Sequence, residues 1–135
     1  DRLLCLVSQV YLPISRALVL TDSAPEHRRV VETVAGWSPL CDLDLEVILM
    51  GRDDDPGAAA KLAWARETLQ GADADIFCLD ARTPDEACAR YMDGHQADVI
   101  VMSREMLLDP VRTGRGGAGL HRRPLWRWRT PLVIC

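Results

Sequence analysis

The sequence predicts an α/β fold, in which a five-stranded parallel sheet lies between two layers of helices in a three-layer α/β/α arrangement. Short apolar runs bounded by turn residues recur along the chain, and such runs are typical of strands buried on both faces of a parallel sheet. Stretches with helix start signals alternate with these runs, which favours β-α-β units. A chain of 135 residues is long enough for one domain that buries roughly two thirds of its unfolded surface.

The predicted elements alternate from residue 16 to the end of the chain. Strands are predicted at 16–21, 45–50, 75–79, 98–102 and 131–135. Helices are predicted at about 24–35, 58–70 and 84–92, with a shorter one before the last strand. The first and third helices begin at capping boxes that start with Ser23 and Thr83, and Asp55 is predicted as the N-cap of the second. The stretch from Gly36 to Asp44 is predicted as a connection.

Residues 1–15 are predicted to form a linker or packing helix from a preceding region, so that the domain itself spans 16–135. They are mostly apolar up to Pro13. An edge segment of the sheet that ends at Pro13 is the alternative. The chain does not begin with Met, which suggests a piece of a longer protein, although a processed N-terminus would look the same.

Charge is distributed unevenly along the chain, whose formal net charge is −4. Seven arginines but only two acidic residues follow residue 102. Lys61 is the only lysine, so the basic groups are almost all guanidinium groups, which suit bidentate contacts with phosphate or carboxylate. The pattern is consistent with an anion site near the C-terminus, and ordinary surface charge is the alternative.

The five cysteines, at residues 5, 41, 78, 88 and 135, include no C-x-x-C pair. An odd number within apolar runs is typical of buried free thiols in a reducing compartment, so a cytoplasmic location is predicted, including that of a cytoplasmic domain of a membrane protein. No run reaches the roughly 20 apolar residues of a membrane span. The three histidines are isolated, and the aspartates at 53–55 precede a helix N-terminus, so no metal site is predicted.

The candidate site lies at the carboxyl ends of the predicted strands. In open parallel sheets, ligands bind outside these ends, at the point where the strand order reverses. Asp22 and Ser23 follow the first strand, and Ser103 follows the fourth. The Asp22 carboxylate is placed either to accept from a base or ribose or to cap the next turn. In the first case the backbone near Met50 and Met102 would flank the base.

A glycine- and arginine-rich loop at 112–119 follows the fourth strand. The backbone N–H groups of Gly114, Gly116 and Gly117 would form a cradle for phosphate, to which Arg115 adds positive charge. A surface loop without a ligand is the alternative. The Trp/Arg segment at 122–129 is too short to predict a nucleic-acid partner, and its tryptophans are expected to pack beneath the last strand or at a dimer contact.

Three phrases of the sequence, in order and at consistent spacing, resemble segments of the universal stress protein family. They are V-L-T-D-S at 19–23, A-D-V-I-V-M-S at 97–103 and T-P-L-V-I at 130–134. The family segments are V-P-x-D-x-S, A-D-L-I-V-M-G and C-P-V-L-V-V. The resemblance covers residues 16–135. It implies the strand order 3-2-1-4-5, a homodimer contact through the last strand, and ATP or AMP as ligand.

The glycine motif with which ATP-binding members of that family hold phosphate is degraded in this chain. The family pattern places glycine at the positions of Ser103 and Met106, and Gly-Ser at Gly116 and Gly117. Only Gly116 matches. The long Met106 side chain stands where the pattern places a phosphate, and Gly117 lacks the hydroxyl group, so the departures speak against ATP binding in the family manner.

The leading functional hypothesis is a non-catalytic regulatory module of the universal stress protein type. It would be dimeric through residues 132–135, or joined to a neighbouring domain in a longer protein such as a transporter or a tandem protein. An adenine-nucleotide-binding member is the alternative. A third hypothesis is a phosphoacceptor receiver domain that uses Asp80 and Ser103. No enzyme is predicted, since the chain has neither G-x-S-x-G nor G-x-x-x-x-G-K-S/T.

Overall fold

Six strands and four helices make up the part of the protein that the structure describes. The structure is a computed structural model, and it describes residues 4–6, 13–22, 24–51, 55–108, 130 and 132–135. The strands are β1 (Leu4–Leu6), β2 (Arg16–Thr21), β3 (Asp44–Gly51), β4 (Ala74–Asp80), β5 (Val99–Met102) and β6 (Leu132–Ile134). The helices are α1 (Pro25–Cys41), α2 (Ala58–Thr68), α3 (Pro84–Met92) and α4 (Arg104–Leu108). None of the helices in these ranges has the length and apolar character that crossing a bilayer requires.

The strand order confirms the predicted fold class. The order across the sheet is β1-β6-β5-β2-β3-β4, and the strands from β2 to β6 are parallel. Counted alone, these five strands have the predicted order 3-2-1-4-5. The chain moves outward from β2 through β3 to β4 and then crosses to β5 on the other side of β2. The strand order therefore reverses between β2 and β5.

Two buried apolar clusters lie on the two faces of the sheet. Successive side chains of a strand point to opposite faces, and Leu18 and Leu20 of β2 belong to one cluster while Val19 belongs to the other. Residues of α3 and α4 complete the first cluster, and residues of α1 complete the second. Both faces of β2 are thereby covered, and residues 17–20 are at most 1% exposed.

The described part of the N-terminal segment is a strand instead of the predicted helix. β1 pairs antiparallel with β6, with Leu4 opposite Ile134 and Leu6 opposite Leu132. For residues 4–6 the structure thus agrees with the edge segment that the sequence left as an alternative, and residues 7–12 lie outside the described residues. An apolar strand at this place supplies hydrogen-bond partners to the outer backbone groups of β6. As a result, β6 is not at the edge of the sheet.

Helix α1 is longer than predicted. The sequence predicted an end before Gly36, but the helix continues through Gly36 and Pro39 to Cys41. Pro39 lies in the last turn, where its missing N–H costs little more than one hydrogen bond, and the glycine penalty of about 1 kcal/mol is outweighed by packing. The helix ends at Asp42, whose φ of 52° is left-handed and whose N–H bonds to the carbonyl of Ser38.

The predicted starts of α3 and α2 are confirmed, but the predicted N-cap of α2 is wrong. Thr83 Oγ1 accepts a hydrogen bond from the Glu86 N–H at 3.1 Å, as a capping box requires. Helix α2 begins at Ala58 as predicted, but its N-cap is Gly57 instead of Asp55. Asp55 Oδ1 accepts from the Gly57 N–H at 2.8 Å, so this carboxylate orders the turn before the helix.

Asp98 joins the amino ends of β2 and β5. Its Oδ2 accepts hydrogen bonds from the N–H groups of Ser15 and Arg16 at 3.0 and 2.9 Å, and from the Ser15 hydroxyl at 3.0 Å. Burial raises the pKa of Asp98, but these bonds and the Arg16 charge outweigh burial and hold the pKa below its ordinary value of 3.8. The charged carboxylate therefore stabilises the start of β2.

We predict that Asp98→Asn lowers the free energy of unfolding by about 1 kcal/mol at neutral pH, because a neutral oxygen is a weaker acceptor in a partly solvated position. The folded-state pKa lies below the unfolded one. The contribution is therefore present above about pH 4 and is lost as the pH falls through the lowered pKa. Urea unfolding of both proteins across this range measures the difference. A difference that persists unchanged in acid would contradict the prediction.

The described cysteines differ in exposure. Cys41 and Cys78 are exposed, so the expectation of buried thiols is wrong for these two. Cys88 is buried in the cluster beneath α3. Burial raises the pKa of the Cys88 thiol well above its ordinary value, and the Asp85 carboxylate raises it further.

We predict that a disulfide-exchange reagent modifies Cys41 and Cys78 in the folded protein but Cys88 only after unfolding, because the thiolate is the reactive form and needs access to the reagent. Mass spectrometry of peptides from native and denatured samples, treated for the same time, checks this. Labelling of native Cys88 as fast as Cys41 would show that α3 opens readily.

Candidate functional site

The carboxyl ends of β2 and β5 lie side by side where the strand order reverses. Leu20 of β2 and Met102 of β5 are register partners, so the residues that follow them lie next to each other at this end of the sheet. These residues are Thr21, Asp22 and Ser103, which we call the switch-point crevice. Open parallel sheets bind ligands at this kind of place.

Asp22 is hydrogen-bonded to the first turn of α1. It is 4% exposed, and its Oδ1 lies 2.6 Å from Nδ1 of the buried His27. The same oxygen accepts from the Ala24 N–H at 2.8 Å. The capping role that the sequence left open for Asp22 is therefore present in the structure, and the carboxylate is held in one orientation.

His27 and Thr21 are site residues that the sequence analysis missed. His27 was considered only as a metal ligand, yet it is 3% exposed and pairs with Asp22. The Thr21 hydroxyl donates to the His27 carbonyl at 3.0 Å. A carboxylate at a strand end, followed five residues later by a histidine in the first helical turn, is the sequence signal that could have indicated this contact.

Ser103 and Met106 form a hydrogen bond that orders the start of α4. Ser103 is 2% exposed, and its Oγ accepts from the Met106 N–H at 3.0 Å. The Arg104 N–H donates to the Cys135 carbonyl at 3.0 Å, so two of the first N–H groups of α4 are already paired within the protein. The Met106 side chain is fully buried in the cluster that α3 covers.

The side chains of Met50 and Met102 do not face the crevice. Both belong to the same buried cluster as Met106 and are 2% and 0% exposed. Met102 precedes Ser103, and Met50 lies one strand beyond β2, next to the pair formed by Thr21 and Leu49. Their backbone, which the sequence analysis expected to flank a base, borders the crevice at the strand ends.

A cavity of about 110 Å³ lies next to the crevice, between the carboxyl ends of β3 and β4 and the start of α2. Its lining residues are Leu49, Met50, Gly51, Asp55, Ala58, Lys61, Cys78 and Leu79. Lys61 and Asp55 form an ion pair in its wall. The hydrogen bond from Lys61, together with that from the Gly57 N–H, holds the pKa of Asp55 below its ordinary value, so the charge of the only lysine is already paired.

Five of the sequence-predicted site residues lie outside the described residues: Ser23, Gly114, Arg115, Gly116 and Gly117. The whole loop at 112–119 and the Trp/Arg segment at 122–129 lie outside them as well. In the ranges that the structure does describe, no group of three or more His, Cys, Asp or Glu is arranged to hold a metal ion.

Asp80 and Ser103 do not share a site. Asp80 ends β4 opposite Gly51 of β3, and the strands β3 and β2 separate β4 from β5. Three strand spacings amount to about 14 Å. The receiver-domain hypothesis needs both side chains at one phosphoryl group, and the strand order therefore contradicts it.

Comparison with known sequences finds similarity to a universal stress protein. No protein-family model matches the chain. A universal stress protein of Synechocystis sp. is 28% identical over 102 residues, which are 73% of this chain and 35% of that protein. The chain therefore spans about a third of the length of this relative.

Comparison with solved structures agrees with the sheet order. The order and the position of the crevice define a doubly wound α/β domain. A universal stress protein in complex with cAMP superposes with a TM-score of 0.70 at 17% identity, over 92% of this chain and 98% of that one. One from Archaeoglobus fulgidus in complex with dAMP gives a TM-score of 0.62 at 16% identity, over 90% and 96%. The chain has the universal stress protein fold, as the resemblance predicted.

We predict that Asp22→Ala lowers the free energy of unfolding by about 2–4 kcal/mol, because it leaves the buried His27 ring and the Ala24 N–H without their acceptor. In a double-mutant cycle with His27→Ala, the two losses should be non-additive by about 1–3 kcal/mol. Chemical denaturation of the four proteins measures both quantities. Glu32→Ala, on the exposed side of α1, is the control. Additive losses would show that the contact contributes little to stability.

Proposed function

We propose that this chain is a regulatory module of the universal stress protein family, which acts by binding an adenine nucleotide at the switch-point crevice and not by catalysis. The observation that carries the proposal is that the carboxyl ends of β2 and β5, which Asp22 and Ser103 follow, are neighbours where the strand order reverses. Two solved proteins with this fold are complexes with cAMP and dAMP. The sequence relative in Synechocystis sp. supports the family assignment.

The chemistry of the described residues favours a nucleoside monophosphate over a triphosphate. The Arg104 and Met106 N–H groups at the start of α4 are hydrogen-bonded within the protein. Met106 fills core volume where the family pattern has glycine. A single phosphate needs fewer backbone donors than three, and the loop at 112–119 with Arg115 would supply the remaining contacts.

Asp22 is the residue proposed to contact the adenosine part. Its bonds to His27 and Ala24 fix the carboxylate before any ligand binds. A group that is already oriented loses little freedom on binding, which favours affinity. The ends of β3 and β5, at Met50 and Met102, would border the base through their backbone.

A module that binds no nucleotide, and serves assembly with a second copy or a neighbouring domain, is the second candidate. The observation that favours it is the internal pairing of the polar groups in the crevice. Asp22 already bonds to His27 and Ala24, and Ser103 already bonds to the Met106 N–H. Such groups offer a ligand fewer new hydrogen bonds.

We predict that AMP and cAMP raise the Tm of the protein by several degrees at saturating concentration and that ATP raises it less, since a ligand that binds only the folded state stabilises it. Asp22→Asn keeps an acceptor for His27 but removes the charge. It should weaken AMP binding about tenfold, because a hydrogen bond to a charged group contributes about 1.5–3 kcal/mol. Isothermal titration calorimetry measures both affinities.

Asp98→Asn is the matched control, because it makes the same substitution at the opposite end of the β2–β5 pair. Its affinity for AMP should equal that of the unmodified protein. An equal loss in both variants would mean that the effect is general destabilisation. The absence of any Tm shift with AMP, cAMP, ADP and ATP would contradict nucleotide binding and leave the second candidate.

A further inference from the structure

The outer edge of β6 is covered by the N-terminal strand of the same chain. β1 runs antiparallel to β6 in three consecutive register pairs, of which Cys5 opposite Val133 is the middle one. Without β1, β6 would end the parallel sheet and present a row of unpaired N–H and C=O groups. β1 supplies partners for these groups from within the same chain.

β1 also runs in the direction that a second copy of β6 would take. Two identical edge strands related by a two-fold axis must be antiparallel, because the axis reverses strand direction. The two strands are alike in length and character, since β1 is Leu-Cys-Leu and β6 is Leu-Val-Ile. A β6 strand from a second copy, centred on Val133, would meet the backbone groups that β1 now faces.

We propose that β1 is an intramolecular cap on a self-association edge. With β1 paired to β6 the chain is a monomer, and when β1 leaves, two copies pair through their β6 strands. This inference does not depend on nucleotide binding.

The strand at the other edge of the sheet, β4, differs from β6 in its charged residues, and this difference supports the proposal. β4 has exposed aspartates near both ends, Asp75 and Asp80, and charged side chains are a common protection of free edges. β6 has no charged residue, and its three side chains are only 4–8% exposed. An edge without charge needs a cover, and a second copy of the same apolar strand is a partner that matches it.

The connection between β1 and β2 allows both states. Because β1 is antiparallel to β6, Leu6 lies at the end of the sheet where β2 begins. The strands β6 and β5 separate β1 from β2, which makes three strand spacings, or about 14 Å. The nine residues between Leu6 and Arg16 reach up to about 30 Å when extended. Pairing within one chain therefore needs no stretching, and β1 can leave β6 without moving β2.

A Val133→Cys variant tests whether β1 pairs within its own chain. Residue 133 lies opposite Cys5, so oxidation should join these two positions. Serine at positions 41, 78 and 135 removes the other thiols that are not fully buried. Non-reducing electrophoresis and peptide mapping should show the 5–133 link inside one chain. A 5–133 link between two chains, or none, would overturn the proposal.

The Val133→Cys variant also tests whether the pairing of β1 with β6 controls the association of two copies of the chain. Light scattering over a concentration series compares the oxidised protein, in which β1 is locked on β6, with the reduced protein. The oxidised form should stay monomeric at every concentration, while the reduced form should gain mass towards twice the monomer value as concentration rises. Equal masses at all concentrations would overturn the proposal.

A second pair of variants opens the cap by substitution. Cys5→Asp places a charge opposite the largely buried Val133 and should double the apparent mass, whereas the control Cys5→Val keeps an apolar strand former and should remain as the unmodified protein. In the Cys5→Asp/Val133→Cys protein, a disulfide between the two copies of residue 133 would place the contact at β6. A folded Cys5→Asp protein that stays monomeric, or a dimer without that disulfide, would overturn the proposal. If Cys5→Asp does not fold, the comparison of oxidised and reduced forms decides.

Discussion

Burial of β2 on both faces is the constraint on which the rest of the structure depends. β2 pairs with β3 on one side and β5 on the other, and its side chains enter both apolar clusters. Helices must therefore cover both faces, and the chain must cross β2 to return. The reversal that results places the crevice at the carboxyl end of β2, where Thr21 and Asp22 are buried polar residues. Such groups need hydrogen-bond partners, and the first turn of α1 provides them.

Hydrogen bonding and core packing at the start of α4 also account for the departure from the family's glycine motif. A glycine at the position of Met106 would let a phosphate approach the backbone, but it would leave a void in the cluster beneath α3 and α4. Met106 fills that volume, and Ser103 caps the N–H that glycine would have left for an anion. The Met106 N–H is thereby used for a fixed turn, and the Met106 side chain for core packing. The crevice remains at the same place in the fold, while its polar groups form hydrogen bonds within the protein that stabilise the folded state.

Sequence patterns correctly predicted the elements whose bounds depend on residues close together in the chain. β2 was placed at its observed bounds, and α3 ends at Met92 as its pattern indicated. The features that were not predicted depend on packing, on a strand distant in the sequence, or on the local geometry before α1. α1 passes Gly36 and Pro39 because packing outweighs their low propensity. β1 has three residues, too few for a periodic signal, and is a strand only because β6 lies beside it. The contact of His27 with Asp22 depends on how the end of β2 meets the first turn of α1, a geometry that no periodicity encodes.

The covered edge and the crevice are linked by consecutive backbone hydrogen bonds. The Cys135 N–H donates to the Met102 carbonyl at 3.1 Å, and the Cys135 carbonyl accepts from the Arg104 N–H. The end of β6 is therefore bonded to the residues on either side of Ser103. If the proposed ligand binds at Ser103, these two peptide groups would connect its site to whatever pairs with β6, and linkage would then require any effect on affinity to be equal in both directions.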